Sequence, residues 1–307
     1  MTNIKYLSIA ICTLLTLGAC SSEGGGSDAP SPSPTLPDQL PIHISTTISS
    51  RATDDAFEEG DNIGLFVVNR NADGSGNNLN VTGNHIDNCR FTYQNSSWSS
   101  NTPTYWKDGT THADFYLYYP YSSTIDNVEA MPWNVKEDQN NSTAYKTSDL
   151  LIGKSTDVAP TETVVKIDAK HVMSQMIITL VAGNGFTESS LAVSNVSVKV
   201  NHLKSNATVN LSTGEVAATG NFTTITPLKE NGKYKAIIIP QTVEENNLIT
   251  VYVDGKEYNL EKAANFTAFE AGKSHQFTVT LNKTSNGMNV SISKWEDDGI
   301  DHGGTAE

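Results

Sequence analysis

Alternation of apolar and polar residues at a period of two is the feature that most constrains this chain. Residues 196–200 read VSVKV and residues 249–253 read ITVYV. Because successive side chains of a strand point to opposite faces, such runs predict strands with one buried face. Apolar runs with helical periodicity and useful length are absent from the sequence. The pattern therefore predicts an all-β protein of short strands packed as β-sandwiches.

Asp254 and Gly255 join the alternating run at 249–253 to a second apolar alternation at 258–260. This dipeptide suits the positive φ angles of a type I′ turn, so the sequence predicts a β-hairpin here. Further strands are predicted at 63–68, 91–93, 114–119, 176–181, 209–211, 235–239, 277–281 and 290–292.

The N-terminus carries the pattern of a lipoprotein export signal. Lys5 supplies a positive charge, residues 7–17 are apolar, and the string LGAC ends at Cys20. The apolar run is too short for a permanent membrane-spanning helix. Small residues before a cysteine match the lipobox of bacterial lipoproteins, which predicts removal of residues 1–19 and lipidation of Cys20. An ordinary signal peptide that happens to end in cysteine is the less favoured alternative.

Residues 20–41 are rich in Gly, Ser and Pro and are predicted to be a flexible linker, since they bury too little apolar area to fold. Ser21 follows the cysteine. In bacteria with two membranes, a residue other than Asp at this place resembles the signal for the outer membrane. The remaining chain is long enough for two domains, predicted at 42–167 and 168–307 with a boundary between about 165 and 170.

The cysteines and the net charge exclude several classes of protein. Cys12 leaves with the signal and Cys20 carries lipid, so Cys89 remains alone and no intramolecular disulfide is expected. The formal net charge of −14 disfavours nucleic acid and anionic lipid as partners.

Catalytic motifs are absent from the sequence. It contains no HExxH, GxSxG, P-loop or paired-cysteine motif. His171 lies at the edge of an apolar strand, where a hydrogen-bonded structural histidine is favoured over a catalytic base. Cys89 and His85 lie four residues apart in a polar loop without a third partner, which favours an ordinary free cysteine. Neither an enzyme nor a cofactor is expected.

Two features of the sequence would suit ligand binding, but each has a simpler interpretation. Residues 71–78 read NADGSGNN, but they lack the spaced aspartates and the bidentate Glu of a calcium loop, so a solvated turn is favoured and no metal is expected. Four aromatic residues would either form a platform for sugar rings or pack within the protein: Trp98, Trp106, Trp133 and Tyr105. Packing is favoured, and a monomeric carbohydrate-binding lipoprotein stays the alternative function.

Eight short motifs follow one another along the chain. They are EEGDNIGLF (58–66), YWKDG (105–109), FYLYYPY (115–121), DLLIG (149–153), KHVMSQMIITL (170–180), IIIPQ (237–241), FEAGKSHQFTVTL (269–281) and ISKWEDDG (292–299). Each is weak alone, but eight in order are specific. In this order the chain resembles the fimbrillin family of Bacteroidales, the subunits and accessory proteins of type V pili.

The resemblance implies two tandem transthyretin-like β-sandwich domains and export to the cell surface as a lipoprotein. It also implies trimming by an arginine-specific protease and polymerisation with other pilin subunits by strand exchange. The function expected from it is that of a structural subunit or adhesin of the fimbrium. Surface glycans are further candidate partners, suggested by the three tryptophans and Tyr105 and not by the resemblance.

Residues at both ends of the chain fit strand exchange. Ile42, Ile44 and Ile48 lie on one face of a predicted first strand, whose departure would leave an apolar groove able to bind a similar strand. Arg51 and Ala52 follow it and resemble the family's cleavage site, although Arg51 also fits a plain solvated residue.

The last predicted strand carries Val290 and Ile292 in alternation with serines. The resemblance makes it the donor that fills a neighbour's groove, and a plain edge strand is the alternative.

Overall fold

A computed structural model describes residues 39–48, 56–283, 287–294 and 300–306, the last two ranges by their backbone only. Cys20, Arg51 and Ala52 lie outside the described residues. Strands dominate this part of the chain, and the two helices are short: α1 spans Ser142–Ser148 and α2 spans Glu188–Val193. The all-β prediction is confirmed. Within the described residues, no helix has the length and apolarity needed to cross a membrane.

The strands in chain order are β1 (Ile44–Ile48), β2 (Asn62–Asn69), β3 (Ile86–Gln94), β4 (Ser97–Ser99), β5 (Ala113–Tyr119), β6 (Met131–Asn134), β7 (Leu151–Val158), β8 (Val165–His171), β9 (Ser174–Ala182), β10 (Val196–Val209), β11 (Val216–Ile225), β12 (Leu228–Glu230), β13 (Lys233–Ile238), β14 (Gln241–Thr242), β15 (Asn247–Val253), β16 (Lys256–Glu261), β17 (Ala268–Phe269), β18 (Lys273–Leu281), β19 (Gly287–Lys294) and β20 (Ile300–Ala306).

Three large sheets contain nearly all of these strands. A seven-stranded sheet has the order β1-β8-β7-β5-β2-β3-β4. A five-stranded sheet has the order β11-β10-β15-β16, with β6 also paired to β10, and a six-stranded sheet has the order β12-β13-β9-β18-β19-β20. Strands β14 and β17 form a separate pair. In the chain, β6 precedes β7 and β8 of the seven-stranded sheet, but it pairs with β10 of the five-stranded sheet. The first half of the chain therefore contributes a strand to a sheet of the second half.

The seven-stranded sheet is buried on both faces at its centre. One face covers an N-terminal core, formed by Leu40, Ile42, Ile44, Ile63, Leu65, Val67, Phe91, Trp98, Trp106, Ala113, Phe115, Leu117, Leu151, Val165, Ile167 and Ala169. The alternate residues of the central strands, among them Phe66 and Tyr116, join a larger core with side chains of β9, β10, β13, β15 and β18. The central strands are therefore nearly continuous apolar runs, as strands between two layers require.

The predicted boundary between residues 167 and 168 falls within β8, which extends to His171. The next strand, β9, begins at Ser174 and belongs to the six-stranded sheet. Membership of the sheets thus changes after His171, whereas the larger core takes side chains from both halves of the chain. Division into two sandwich domains stays a prediction.

The predicted hairpin is confirmed, with Val253 opposite Lys256 and positive φ angles of 50° at Asp254 and 83° at Gly255. The prediction of a strand at 209–211 is wrong in its bounds. β10 ends at Val209, because the side chain of Asn210 accepts hydrogen bonds from the amides of Ser212 and Thr213 and so forms a turn.

Contact between Gly64 and Tyr118 links two of the eight motifs, EEGDNIGLF (58–66) and FYLYYPY (115–121). The ring of Tyr118 lies directly over Gly64 on the neighbouring strand, and a Cβ at this position would overlap Cε1 and Cζ of the ring. The tyrosine hydroxyl lies 2.7 Å from Oδ1 of Asn88 and accepts a hydrogen bond from the amide of Ser122. Desolvation by burial raises the pKa of Tyr118 to about 12. The Tyr118 ring is therefore held by the β5 backbone at one end and by the hydrogen bonds of its hydroxyl at the other.

We expect Gly64→Ala to lower the free energy of unfolding by about 1–3 kcal/mol, since the added methyl group overpacks a fixed ring. Urea unfolding measures this change. Gly76→Ala is the matched control, because its Cβ would meet only Oδ2 of Asp114 at 3.4 Å and Nη2 of Arg70 at 3.5 Å. Equal stability of Gly64→Ala and the unmodified protein would contradict the packing described here.

Candidate functional site

The N-terminal segment, defined here as residues 40–48, pairs with two different parts of the protein. On one side β1 runs parallel to β8, from Ile44 opposite Val165 to Ile48 opposite Ala169. The amide of Val165 donates to the carbonyl of His43 at 2.8 Å. This edge of β8 is covered by β1 and by no other described strand.

On the other side the same segment contacts the chain that follows β4. The amide of Ile42 donates to the carbonyl of Thr104 at 2.9 Å, and the amide of Trp106 donates to the carbonyl of Leu40 at 2.8 Å. Strand β4 lies at the opposite edge of the seven-stranded sheet from β1. The N-terminal segment therefore links the two edges of the sheet and closes it around the N-terminal core.

Apolar side chains hold the segment in place. Leu40, Ile42 and Ile44 are only 4%, 4% and 5% exposed and belong to the N-terminal core, and Ile48 is partly buried against it. This confirms the apolar face predicted for the first strand, and it adds Leu40, which the sequence had placed in the linker. Burial of such side chains contributes roughly 1.5–3 kcal/mol each.

The chain after the N-terminal segment has an anchor of its own. Phe57 packs edge-on against Trp98, at 5.0 Å between ring centroids, and against Tyr119, at 5.5 Å. Glu58 forms an ion pair of 2.7 Å with Lys146. Arg51 and Ala52 lie outside the described residues, between these two independently held parts of the chain.

The other two arginines have structured backbones. The amide of Arg70 donates to the carbonyl of His112, and its guanidinium lies 3.1 Å from Oδ1 of Asp157. A hydrogen bond from His112, followed by the charge of Arg70, lowers the pKa of Asp157. Arg90 lies within β3, which is paired on both sides. A protease needs an extended, unpaired stretch of backbone, so the pairing of Arg90 with Gly64 disfavours cleavage there, whereas Arg70 lies at the start of an exposed loop.

The C-terminal strand pairs with its own sheet. β19 runs antiparallel to β18, with Val290 opposite Phe277 and Ile292 opposite His275. β20 then pairs with both β18 and β19. In this structure, Val290 and Ile292 of β19 are therefore paired within their own sheet.

The remaining candidate residues take part in local contacts. Nδ1 of His171 lies 2.6 Å from Oδ2 of Asp149 in a buried pair that ties β8 to the start of β7, as expected for a structural histidine. His85 and Cys89 both line a cleft of about 480 Å³. His85 Nε2 lies 2.7 Å from the carbonyl of Tyr105, and Cys89 Sγ lies 3.2 Å from Oγ of Ser100. These contacts do not make a cysteine–histidine pair.

The tryptophans pack within the protein. Trp98 and Trp106 lie in the N-terminal core, where Trp106 meets Phe115 at 5.4 Å between centroids. Trp133 donates its indole N–H to the carbonyl of Ser148 at 3.1 Å. They form no exposed platform with Tyr105. Within the described ranges, no three or more His, Cys, Asp or Glu residues are grouped to hold a metal ion.

Comparison with known proteins identifies the family. The fimbrillin-like family model matches residues 50–295. This chain belongs to the fimbrillin-like family. The match covers all eight motifs except the last four residues of the closing one, and it begins just after the N-terminal segment.

Individual relatives agree with this assignment. "Putative fimbrium subunit Fim1C" from Bacteroides uniformis is 29% identical over 300 residues, which cover 93% of this chain and 94% of that protein. A crystal structure titled "putative cell adhesion protein" from Bacteroides uniformis aligns with a TM-score of 0.64 at 21% identity, covering 83% of this fimbrillin-like chain and 95% of the other. A second crystal structure of a putative cell adhesion protein, from Bacteroides ovatus, aligns with a TM-score of 0.65 at 20% identity, covering 86% of this chain and 98% of the other. The two structures share the fold.

We expect Ile44→Ala to lower the free energy of unfolding by about 2–5 kcal/mol, because it leaves a cavity where the N-terminal segment closes the core. Thermal and urea unfolding measure this loss. His43→Ala is the control, since this side chain is exposed on the same segment and its loss is expected to change stability by about 0.5 kcal/mol or less. Equal effects of the two substitutions would show that the apolar face does not hold the segment.

Proposed function

We propose that this protein is exported as a lipid-anchored precursor and that, after trimming, it assembles with other fimbrial subunits by strand exchange at the cell surface. Membership of the fimbrillin-like family and similarity to the putative fimbrium subunit of Bacteroides uniformis support the fimbrial role. The lipobox ending at Cys20 supports export and attachment to the outer membrane. Adhesion at the cell surface fits the similarity in fold to the two putative cell adhesion proteins.

The observation that carries this proposal is the position of the N-terminal segment between the two edges of one sheet. Its removal would leave the amides of Val165 and Trp106 and the carbonyl of Thr104 without their present partners. It would also uncover the apolar sites now filled by Leu40, Ile42 and Ile44. An open strand edge beside an apolar groove binds an extended segment through both backbone and side chains.

Cleavage after Arg51 is the step that would release the segment. A cut between Arg51 and Ala52 would free the N-terminal segment while Phe57 keeps the following chain in place. Arg90 is paired with Gly64 within β3, and the guanidinium of Arg70 is held by Asp157. A cut after Arg51 would also remove the lipid on Cys20 together with the segment.

The C-terminal strand is the candidate donor. Val290 and Ile292 are two residues apart, the same spacing as Ile42 and Ile44, so they match two alternate sites of the groove. Donation would exchange the pairing of β19 with β18 for pairing with a neighbouring subunit. The gain is burial of the neighbour's exposed groove.

Arg51→Ala is expected to keep the segment attached and the protein monomeric when an arginine-specific protease is added. Gel electrophoresis in detergent without boiling would show a ladder for the unmodified protein and a single band for the variant. Mass spectrometry would give Ala52 as the N-terminal residue of the trimmed form. Arg90→Ala is the control and should give the normal ladder. An undiminished ladder from Arg51→Ala would overturn cleavage at this site.

The double substitution Val290→Ser with Ile292→Ser is expected to leave the melting transition cooperative and to abolish the ladder of trimmed protein, because the donor loses its apolar side chains. The double substitution Ser291→Ala with Ser293→Ala changes the other face of the same strand and should leave assembly unchanged. Undiminished assembly of the first variant would assign β19 a structural role only.

A further inference from the structure

Strand β11 (Val216–Ile225) is an edge of the five-stranded sheet, and its only neighbour among the described strands is β10. It contains no Asp, Glu, Lys, Arg or Pro. Proteins protect long sheet edges with such residues, because an open edge pairs readily with another strand. The other described strands at the ends of the large sheets are short or charged. β1, β4 and β12 have five residues or fewer, β16 carries Lys256, Glu257 and Glu261, and β20 carries Asp301.

The first part of β11 directs backbone groups away from the sheet. The amide of Asn210 donates to the carbonyl of Glu215 at 2.9 Å, where the pairing with β10 begins, and the register is unbroken from there to Thr219. Hydrogen-bonded pairs alternate along an antiparallel ladder, so every second residue after Glu215 points its peptide groups at β10. The residues between them, Val216 and Ala218, point theirs outward.

The apolar core is incompletely covered at the same place. Val216 and Ala218 pack against the larger core but stay only partly buried. Directly opposite them on β10, Val209 and Ala207 are 1% and 3% exposed. The sheet thus ends before the rim of its core is covered, and one more strand beside β11 would remove further apolar surface from water.

The regular open edge is limited to residues 216–219. Between Thr219 and Phe222 the register with β10 shifts, and Gly220 in this interval has a φ of 78°. Such a bulge turns the rest of the strand and interrupts the row of outward backbone groups. Just beyond the strand, the amide of Thr226 donates to the carbonyl of Glu137, which covers the chain there.

A second copy of this chain fits the open edge. Two copies repel each other, since the formal net charge is −14, and a contact between them therefore needs an uncharged surface. Antiparallel pairing of β11 with itself about Ala218 would place Ala217 opposite Thr219 of the second copy. Both side chains are exposed, small and uncharged, so no like charges would face each other.

We propose that residues 216–219 of β11 are a contact between two copies of this chain, formed by antiparallel pairing of the two edges. The pairing would satisfy the outward backbone groups of Val216 and Ala218 and cover the rims of both cores. It would join two subunits side by side. The contact uses β11, whereas the proposed strand exchange uses β1 and β8, so each is testable without the other.

The test uses the intact, untrimmed chain with Cys20→Ser, which avoids lipid. Sedimentation equilibrium at protein concentrations up to about 1 mM measures dimer formation, because so short a pairing belongs among weak complexes. We expect a reversible dimer and at least tenfold weaker association of Ala218→Pro, which lacks the outward N–H. Ala218→Ser keeps this N–H and is expected to associate as the unmodified protein does.

A second variant tests the contact without removing a backbone group. Ala217→Glu with Thr219→Glu would place like charges opposite each other in the dimer, so we expect at least tenfold weaker association at low salt and partial recovery at high salt. Ser97→Glu with Ser99→Glu is the matched control, because it adds the same charges at the same spacing to exposed positions of the edge strand β4. Circular dichroism shows whether each variant is folded.

A protein that stays monomeric at every concentration would overturn the proposal. Equal association of the Ala217→Glu, Thr219→Glu variant and the unmodified protein would also overturn it, as would equal weakening by the control in β4. If Ala218→Pro does not fold, the glutamate variants decide the question, whatever the outcome for strand exchange.

Discussion

The contact on which the first sheet depends is the double pairing of residues 40–48, with β8 on one side and with Thr104–Trp106 on the other. β8 lies beside β1 at one edge of the seven-stranded sheet, and residues 104–106 follow β4, the strand at the other edge. A single short segment therefore completes the backbone hydrogen bonding of the sheet and covers its N-terminal core. Loss of this segment would uncover the apolar sites of Leu40, Ile42 and Ile44, while the other strands of the sheet would keep their pairing.

Burial of both faces would keep the sheet in place during the proposed strand exchange. The ring of Tyr118 against Gly64 belongs to the larger core, whereas Leu65 and Leu117 face the N-terminal core. Removal of the N-terminal segment would uncover only the N-terminal core. The larger core, shared with the strands of the second half, would continue to hold β2 and β5 in place.

Sequence alone predicted the features that depend on local spacing. The alternation at Ile42 and Ile44 predicted a strand with one buried face, and Asp254–Gly255 predicted a hairpin whose turn needs positive φ angles. It could not predict the parallel partner of β1, because pairing between residues 44 and 165 depends on the whole sheet.

Hydrogen exchange of individual amides before and after cleavage at Arg51 tests the role of the N-terminal segment most directly. The amides of Val165 and Trp106 each donate to this segment, although they are far apart in the sequence. The account predicts that both lose protection together in the trimmed monomer and regain it in the assembled fimbrium, while the amide of Ile178 in β9 stays protected throughout. Unchanged protection of Val165 and Trp106 after trimming would contradict it.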